Sequence, residues 1–231
     1  IHGPRGSGKR SSIHHILHGP VQSLLEFGEV DTFTITFSED LGSEANLITE
    51  IGTAIGAGSL ESLDEIHRYL AARQRKSVIV IENGEKIFQR TEDGLKTAND
   101  FLHLMSDSGE HALWIVLIGS PAADWLQIAM GFFDYFTHQI EMPPLTMDQI
   151  QEMILNRHRV SGFSTRFDRP QIRVEKWLRN PFSLSEAVRD PQHEFFIDLT
   201  RLSGGNPLLS LLYWLESVKS DASDDQLMRV G

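Results

Sequence analysis

Residues 3–10, GPRGSGKR, restrict what this chain can become more than any other stretch. Gly3, Gly8 and Lys9 keep the spacing G-x-x-x-x-G-K, in which glycines let successive backbone N–H groups turn inward while a lysine reaches over the same concavity. A turn of that kind holds an anion, here a polyphosphate, and it works between a buried strand and the amino end of a helix. Gly3, Pro4, Arg5, Gly6, Ser7, Gly8 and Lys9 are therefore the candidate phosphate contacts, with Gly6, Gly8 and Lys9 foremost. The last place of the pattern asks for a hydroxyl to hold magnesium, and Arg10 stands there. Ser11 is placed to touch an inner phosphate but not to supply the missing metal ligand. Arg10 is either a fixed cation that neutralises phosphate charge in the metal's stead or a solvent-facing residue of the first helical turn.

The chain after the loop alternates as such a loop requires. KRSSIHHILHG reads as helix until Gly19-Pro20 breaks it, and TFTITF (32–37), β-branched and aromatic, reads as strand. Leu47, Ile48, Ile51 and Ile55 fall at helical spacing, as do Leu63, Ile66 and Leu70, and again Leu95, Ala98, Leu102 and Met105. SVIVI (77–81) and ALWIVLI (112–118) are short apolar runs of the kind buried on both faces of a parallel sheet, and HQIEM (138–142) is read as the last strand. The expected fold class is α/β, a three-layer parallel sheet that resembles a P-loop NTPase core, followed by a small helical region in the place of that family's lid. The core is expected over residues 1–145, with its first strand truncated, and the lid over 146–219. Residues 220–231, SDASDDQLMRVG, are expected as a tail or linker. In the lid, Ile150 and Ile154 mark one helix, and two more flank SGGNP (203–207).

SVIVIEN ends in an acid. In phosphate-loop proteins a second motif sets a carboxylate at the tip of the strand neighbouring the loop strand, where it orients magnesium and water. Glu82 is the candidate metal ligand on that ground. The simpler role for Glu82 is a surface or helix-capping acid at a strand end.

Composition narrows the classes further. A formal net charge of −11 speaks against a surface that grips nucleic acid throughout. With no cysteine there is no disulfide framework, thiolate metal site or cysteine nucleophile. No apolar run is long enough to span a bilayer and no signal peptide shows, so a cytoplasmic location is expected, in a chain that reads as part of something longer. His14, His15 and His18 lack an interleaved glutamate and a third ligand, and read as surface histidines. Arg157, Arg159, Arg166, Arg169, Arg173, Lys176 and Arg179 form a basic segment that could meet nucleic acid or a partner; pairing with acidic surface is the preferred reading. Trp177, Phe182, Phe195, Phe196 and Trp214 read as packing, with Phe195, Phe196, Leu199 and Leu202 forming one helix face.

The order of these parts resembles the AAA+ ATPases, in particular the branch of origin-recognition and initiator ATPases and transposition regulators; the signalling STAND class shares the core and the GGNP style of lid. GPRGSGKR is similar to the Walker A loop, VIVIEN to Walker B, WIVLIGSP to the strand carrying sensor 1, IEMPPLTMDQIQEMILNRH to the junction into the lid, and SGGNPLLSLLYWL to the start of the sensor 2 helix. The resemblance implies ATP or ADP as ligand, with magnesium at a degraded site, and catalytic positions at Glu82, Asn83 and Ser120. Asn83 stands where a second carboxylate would polarise water, and it has none to accept a proton. Ser120 falls at the γ-phosphate sensor. Phe132, Phe133, Asp134, Tyr135 and Phe136 replace the segment that carries an arginine finger, and Leu208 and Leu209 replace the basic residue of sensor 2.

The reading that follows is a regulatory ATP- or ADP-binding module with weak or absent hydrolysis, within a larger protein or assembly and with protein partners or self-association. Two others stand beside it: an active ATPase driving remodelling or DNA-linked assembly, using Glu82 or Glu85 and an arginine supplied in trans, and a scaffold with a relic loop.

Overall fold

The computed structural model describes residues 1–18, 30–37, 43–88, 94–167, 190–221 and 224–230. The chain forms two compact units, Ile1–Met142 and Pro143–Gly231.

The first unit is built on parallel strands: β1 (His2–Gly3), β2 (Asp31–Thr36), β3 (Ser77–Glu82), β4 (Ala112–Val116) and β5 (Ile118–Gly119). β2 pairs with β3 over its whole length, β3 pairs with β4, and β1 pairs with β5, so His2 faces Ile118 and Gly3 faces Gly119. The run read from sequence as one strand, ALWIVLI, is thus two. At Leu117 it passes from one partner to the other, its N–H going to the Ile81 carbonyl while the Ile118 N–H goes to that of Ile1.

The path from β3 to the loop strand β1 therefore crosses β4–β5. The acid-tipped strand is not the loop strand's neighbour, contrary to the sequence-based expectation. The expected last strand, HQIEM, shrinks to a bridge between His2 and Glu141, because β1 offers only His2 for pairing; the His2 N–H reaches Ile140 O and the Met142 N–H reaches His2 O, each at 2.9 Å.

Both sheet faces are covered. Ile79 and Ile81 point into the larger core, where they meet α2 (Glu44–Ala54), α3 (Leu63–Ala72) and α4 (Gly94–Asp107) through Leu47, Ile51, Ile66, Leu70, Phe101 and Leu102. The alternate residues Val78 and Val80 meet Ile13 and Leu17 of α1 (Lys9–His18) on the other face. Strand alternation and an i, i+4 helical pair produce three layers from one short strand, each buried aliphatic side chain contributing about 1.5–3 kcal/mol. Ser43 and Ser62 cap α2 and α3 by accepting the N–H of Asn46 and Glu65. Helix α5 (Ser120–Met130), absent from the sequence reading, starts directly after β5 and ends at Gly131 in the left-handed region. The residues at the expected arginine-finger segment form a short 3-10 turn, Phe132–Tyr135, whose Phe132 is buried in the core.

The second unit contains α6 (Met147–Ser161), α7 (Pro191–Ser203) and α8 (Pro207–Ser217). It is not purely helical. β6 (Ser164–Phe167), β7 (Val218–Asp221) and β8 (Asp224–Val230) form a sheet in the order β6-β8-β7. Most of the stretch expected as a tail is therefore strand, and its Val230 is buried with Ile150, Ile154, Phe196, Leu199 and Trp214. Acidic residues at its start concealed a strand whose apolar end pairs and packs. Phe196 and Trp214 stack at 11° and 6.2 Å, the packing role expected of them, whereas Leu202 is exposed.

The GGNP segment forms an elbow. Asn206 caps α8 by accepting the N–H of Leu208 and Leu209, Pro207 opens the helix, and Gly205 lies so close to Pro144 and Leu145 that a Cβ there would come within 2.7 Å of both. Thr146 and Gln149 form a reciprocal capping box at the start of α6. Of the basic segment, Arg157, Arg159 and Arg166 are described; Arg169, Arg173, Lys176 and Arg179 lie outside the described residues, as do Gly19, Pro20, Trp177 and Phe182.

Candidate functional site

The loop leaves β1 at Gly3 and enters α1 at Lys9. Gly6 and Gly8 take φ of 81° and 93°, backbone positions that side chains disfavour. A Cβ added at Gly8 would meet nothing within 4 Å, so the turn opens on space rather than on packed protein. The Ser7 N–H closes the turn on the Pro4 carbonyl at 3.2 Å, and Ser12 N–H to Gly8 O begins the helical ladder. Amides of the first turn of α1 have no partner inside the helix, and the loop leads directly into that end.

Lys9 lies across this mouth, its Nζ donating to the carbonyls of Gly3 at 2.7 Å and Pro4 at 3.1 Å. Burial pulls its ammonium below the usual lysine range, and the Glu85 carboxylate opposes that shift. Two hydroxyls nearby in the chain path are unpartnered: Ser7 Oγ, within the loop, and Ser120 Oγ, one residue beyond Gly119, the register partner of Gly3. Orphaned buried hydroxyls beside an open anion nest are the donor set a polyphosphate needs.

Glu82 is buried at the end of β3, with both carboxylate oxygens engaged. Oε2 accepts from Thr36 Oγ1 at 2.8 Å, the two residues being register partners on β2 and β3. Oε1 lies 2.7 Å from Arg10 Nε. Sequence reasoning placed Arg10 and Glu82 in one site without pairing them, and it did not include Thr36 in that site. The donor set does not fit magnesium where the resemblance would put it, because Arg10, at the position expected to carry a hydroxyl, already holds Glu82, the expected carboxylate.

Asn83 takes the left-handed region at φ 56° and its amide donates to the Phe37 carbonyl at 3.4 Å. Glu85 follows in a 3-10 turn, Gly84–Ile87, and its Oε2 accepts from the Gly119 N–H at 3.4 Å. Of the predicted site residues, the loop, Glu82 and Arg10 come together at the carboxyl ends of the strands, where parallel sheets hold ligands. Ser11 is exposed on α1, and Leu208 and Leu209 are in the second unit. His14 and His18 sit with ring centroids 4.8 Å apart, and among the described residues no group of three or more His, Asp or Glu side chains can hold a metal.

A family model described as AAA domain matches residues 1–126. The chain belongs to that family. No curated protein sequence matches it. Among solved structures, the AAA domain chain is similar to Drosophila ORC bound to DNA at 13% identity and a TM-score of 0.55, over 91% of this chain and 47% of that one. It is also similar to the Aeropyrum pernix ORC2 protein in ADPNP–ADP complexes, at 12% identity and TM-score 0.51 over 69% and 45%. A third similar structure is C. elegans PCH-2, at 13% identity and TM-score 0.53 over 98% and 56%. This AAA domain chain thus spans about half the length of the structures it matches, and at these identities the likeness establishes the fold. No helix among its described residues is long and apolar enough to cross a membrane.

Proposed function

We propose that the chain is a regulatory module that holds ATP or ADP and hydrolyses it slowly or not at all, within a larger protein or assembly. The observation that carries this is the pairing of an intact phosphate turn, with Lys9 across its mouth, and an asparagine at the position of the catalytic base. On binding, Lys9 exchanges the Gly3 and Pro4 carbonyls for phosphate oxygens, and Gly6, Gly8 and the first amides of α1 close round them. Ser7 and Ser120 donate the hydroxyl bonds they otherwise lack; Ser11 adds an inner-phosphate contact. Phosphoryl transfer depends on positioned charge and an oriented water, and Asn83 has no carboxylate to accept the proton. The nucleotide complexes of the Aeropyrum protein support the ligand class.

Titration calorimetry with ATP and ADP, alongside phosphate release, tests the proposal. Saturable binding lost in Lys9→Ala, with no turnover above background, is the expected result. Absence of binding would leave the loop a relic on a scaffold.

A second reading, a working ATPase, is favoured by one contact. Glu85 reaches the Gly119 amide beside Ser120 and feels Lys9, so it is the carboxylate best placed to act as a base. Phosphate release that rises with protein concentration and vanishes in Glu85→Gln would select it.

A further inference from the structure

We infer that Arg10 takes the place of the magnesium ion, so that this site holds ATP or ADP without a divalent cation. The inference rests on the nucleotide reading given above. In a phosphate loop the residue after the lysine supplies the hydroxyl that completes the metal's shell, and the strand-tip acid holds the ion from the opposite side. Here the two positions bind each other, Arg10 Nε to Glu82 Oε1 at 2.7 Å. The second oxygen of Glu82 is held by the Thr36 hydroxyl at 2.8 Å.

Magnesium demands near-octahedral oxygen ligands and gives up its water reluctantly. To bind here it would have to strip the guanidinium from a buried carboxylate and then sit beside that displaced positive charge. Neither step is needed if the guanidinium serves as the cation. A guanidinium carries five N–H donors in a planar fork, and the Glu82 contact uses the one on Nε. The Nη donors remain on a side chain that is 77% exposed, anchored at one point and able to face phosphate oxygens. Glu82 then acts as a positioning residue: it orients Arg10 rather than a metal, and Thr36 orients Glu82.

The ion pair also explains why Arg10 is compatible with a phosphate loop. An unpaired arginine one residue after Lys9 would swing between solvent and the phosphate groups. Tied to a buried acid on β3, it presents a fixed charge at the edge of the site, as a bound metal would.

The test is the affinity for ATP and for ADP of the intact chain and of Arg10→Ser, each in EDTA and in magnesium chloride. The wild-type chain is expected to bind within about threefold of the same affinity in both conditions. Arg10→Ser, which restores the hydroxyl and frees Glu82, is expected to lose roughly ten- to a hundredfold in EDTA and to recover with magnesium. A wild-type chain that binds only with magnesium overturns the inference and leaves the nucleotide reading standing. One that binds in neither condition overturns both, and Arg10→Ser binding as wild type in EDTA removes the role assigned to Arg10. Manganese titrated into the wild-type ADP complex and followed by electron paramagnetic resonance gives a readout independent of any variant. Manganese held no more tightly than by ADP alone supports the inference, and a tightening of about tenfold refutes it.

Discussion

Gly3→Ala puts the geometry of the loop to a direct test, because the alanine Cβ has nowhere to go. Built on the existing backbone, it would lie 2.9 Å from Met142 Cβ and 2.9 Å from Ser7 Oγ. Ordinary contacts of this kind begin near 3.4 Å, so both contacts must be relieved, each by about half an ångström. Met142 is held because its N–H bonds to the His2 carbonyl while the His2 N–H bonds to Ile140, and a retreat on that side strains both bonds. Two such bonds are worth about 0.5–1.5 kcal/mol each, which agrees with the 1–3 kcal/mol typical of an overpacked site. The Ser7 contact is relieved more cheaply, by rotation of an unpartnered hydroxyl, which turns away one of the donors proposed for the phosphates. Urea denaturation of the first unit, followed at the midpoint and slope, should therefore show a loss of about 1–3 kcal/mol. How far the shift reaches is read from ATP affinity. An unchanged affinity confines it to Met142 and the Ser7 hydroxyl, and a loss shows that the loop moves as well. A variant with stability within about 0.5 kcal/mol of wild type and unchanged affinity would show that β1, the Ile140–Met142 path and the loop do not meet as described.

On the proposed function, Lys9 makes nucleotide binding pH-dependent in a defined sense. Its ammonium titrates below the usual value of 10.5 in the unliganded protein, and bound phosphate favours the charged form, so the complex binds more protons and affinity falls as pH rises through that lowered value. The uptake is measurable as a buffer-dependent binding heat at alkaline pH below 10.5, absent in Lys9→Met. Folding responds oppositely: between the lowered value and 10.5 the unfolded chain binds more protons, so the contribution of Lys9 to stability grows with pH. Phe196→Ala empties the stacked position against Trp214 and should destabilise the second unit by about 3–5 kcal/mol, seen as loss of its thermal transition. Arg73→Met removes a guanidinium that pairs with Asp31, donates to the Tyr69 hydroxyl at 3.1 Å and lies 5.0 Å from the Phe33 ring; a loss of about 1–3 kcal/mol in urea is expected. Thr36→Val leaves Glu82 with one partner for two buried oxygens and should cost about 1–3 kcal/mol by the same measurement.

What could be read from the chain alone follows from how locally each feature is encoded. Ile79 and Ile81 against Val78 and Val80 announce a two-faced strand within a handful of residues, and Ser43, Ser62 and Thr146 announce helix starts by their own side chains. Helix α5 did not announce itself. Its buried positions are Ala123 and Leu126, but Trp125 and Ile128 are apolar and exposed, so the 3.6-residue contrast that marks a helix is washed out. Its signals were instead Pro121 in the first turn and Gly131 at the end. The C-terminal strands were missed for the opposite reason, since the acidic, serine-rich residues from Ser220 on have the composition of a linker, and it is the pairing of Leu227–Val230 with β6 and of Met228–Val230 with β7 that makes β8 part of a sheet. Strand order likewise has no local code. Nothing in SVIVIEN tells that β4–β5 lies between it and the loop strand.

The site divides along the same line. The loop is a contiguous motif whose spacing is its geometry, and it could be read residue by residue. The metal side depends on Thr36, Glu82 and Arg10, which three separate strand–helix units bring together, and no spacing rule links them. Taken singly, each of these residues has an ordinary explanation: a strand threonine, a strand-end acid, a helix-surface arginine. Taken together they form a closed chain of contacts, hydroxyl to carboxylate to guanidinium, across the place where a metal would otherwise be held. On the inference drawn for Arg10, the arginine at position 10 and the buried acid at position 82 are then one feature, because the arginine gives the acid a partner. An acid retained only for magnesium would be left buried and uncompensated once its hydroxyl counterpart was replaced, and such a group is costly enough to destabilise the strand end that carries it.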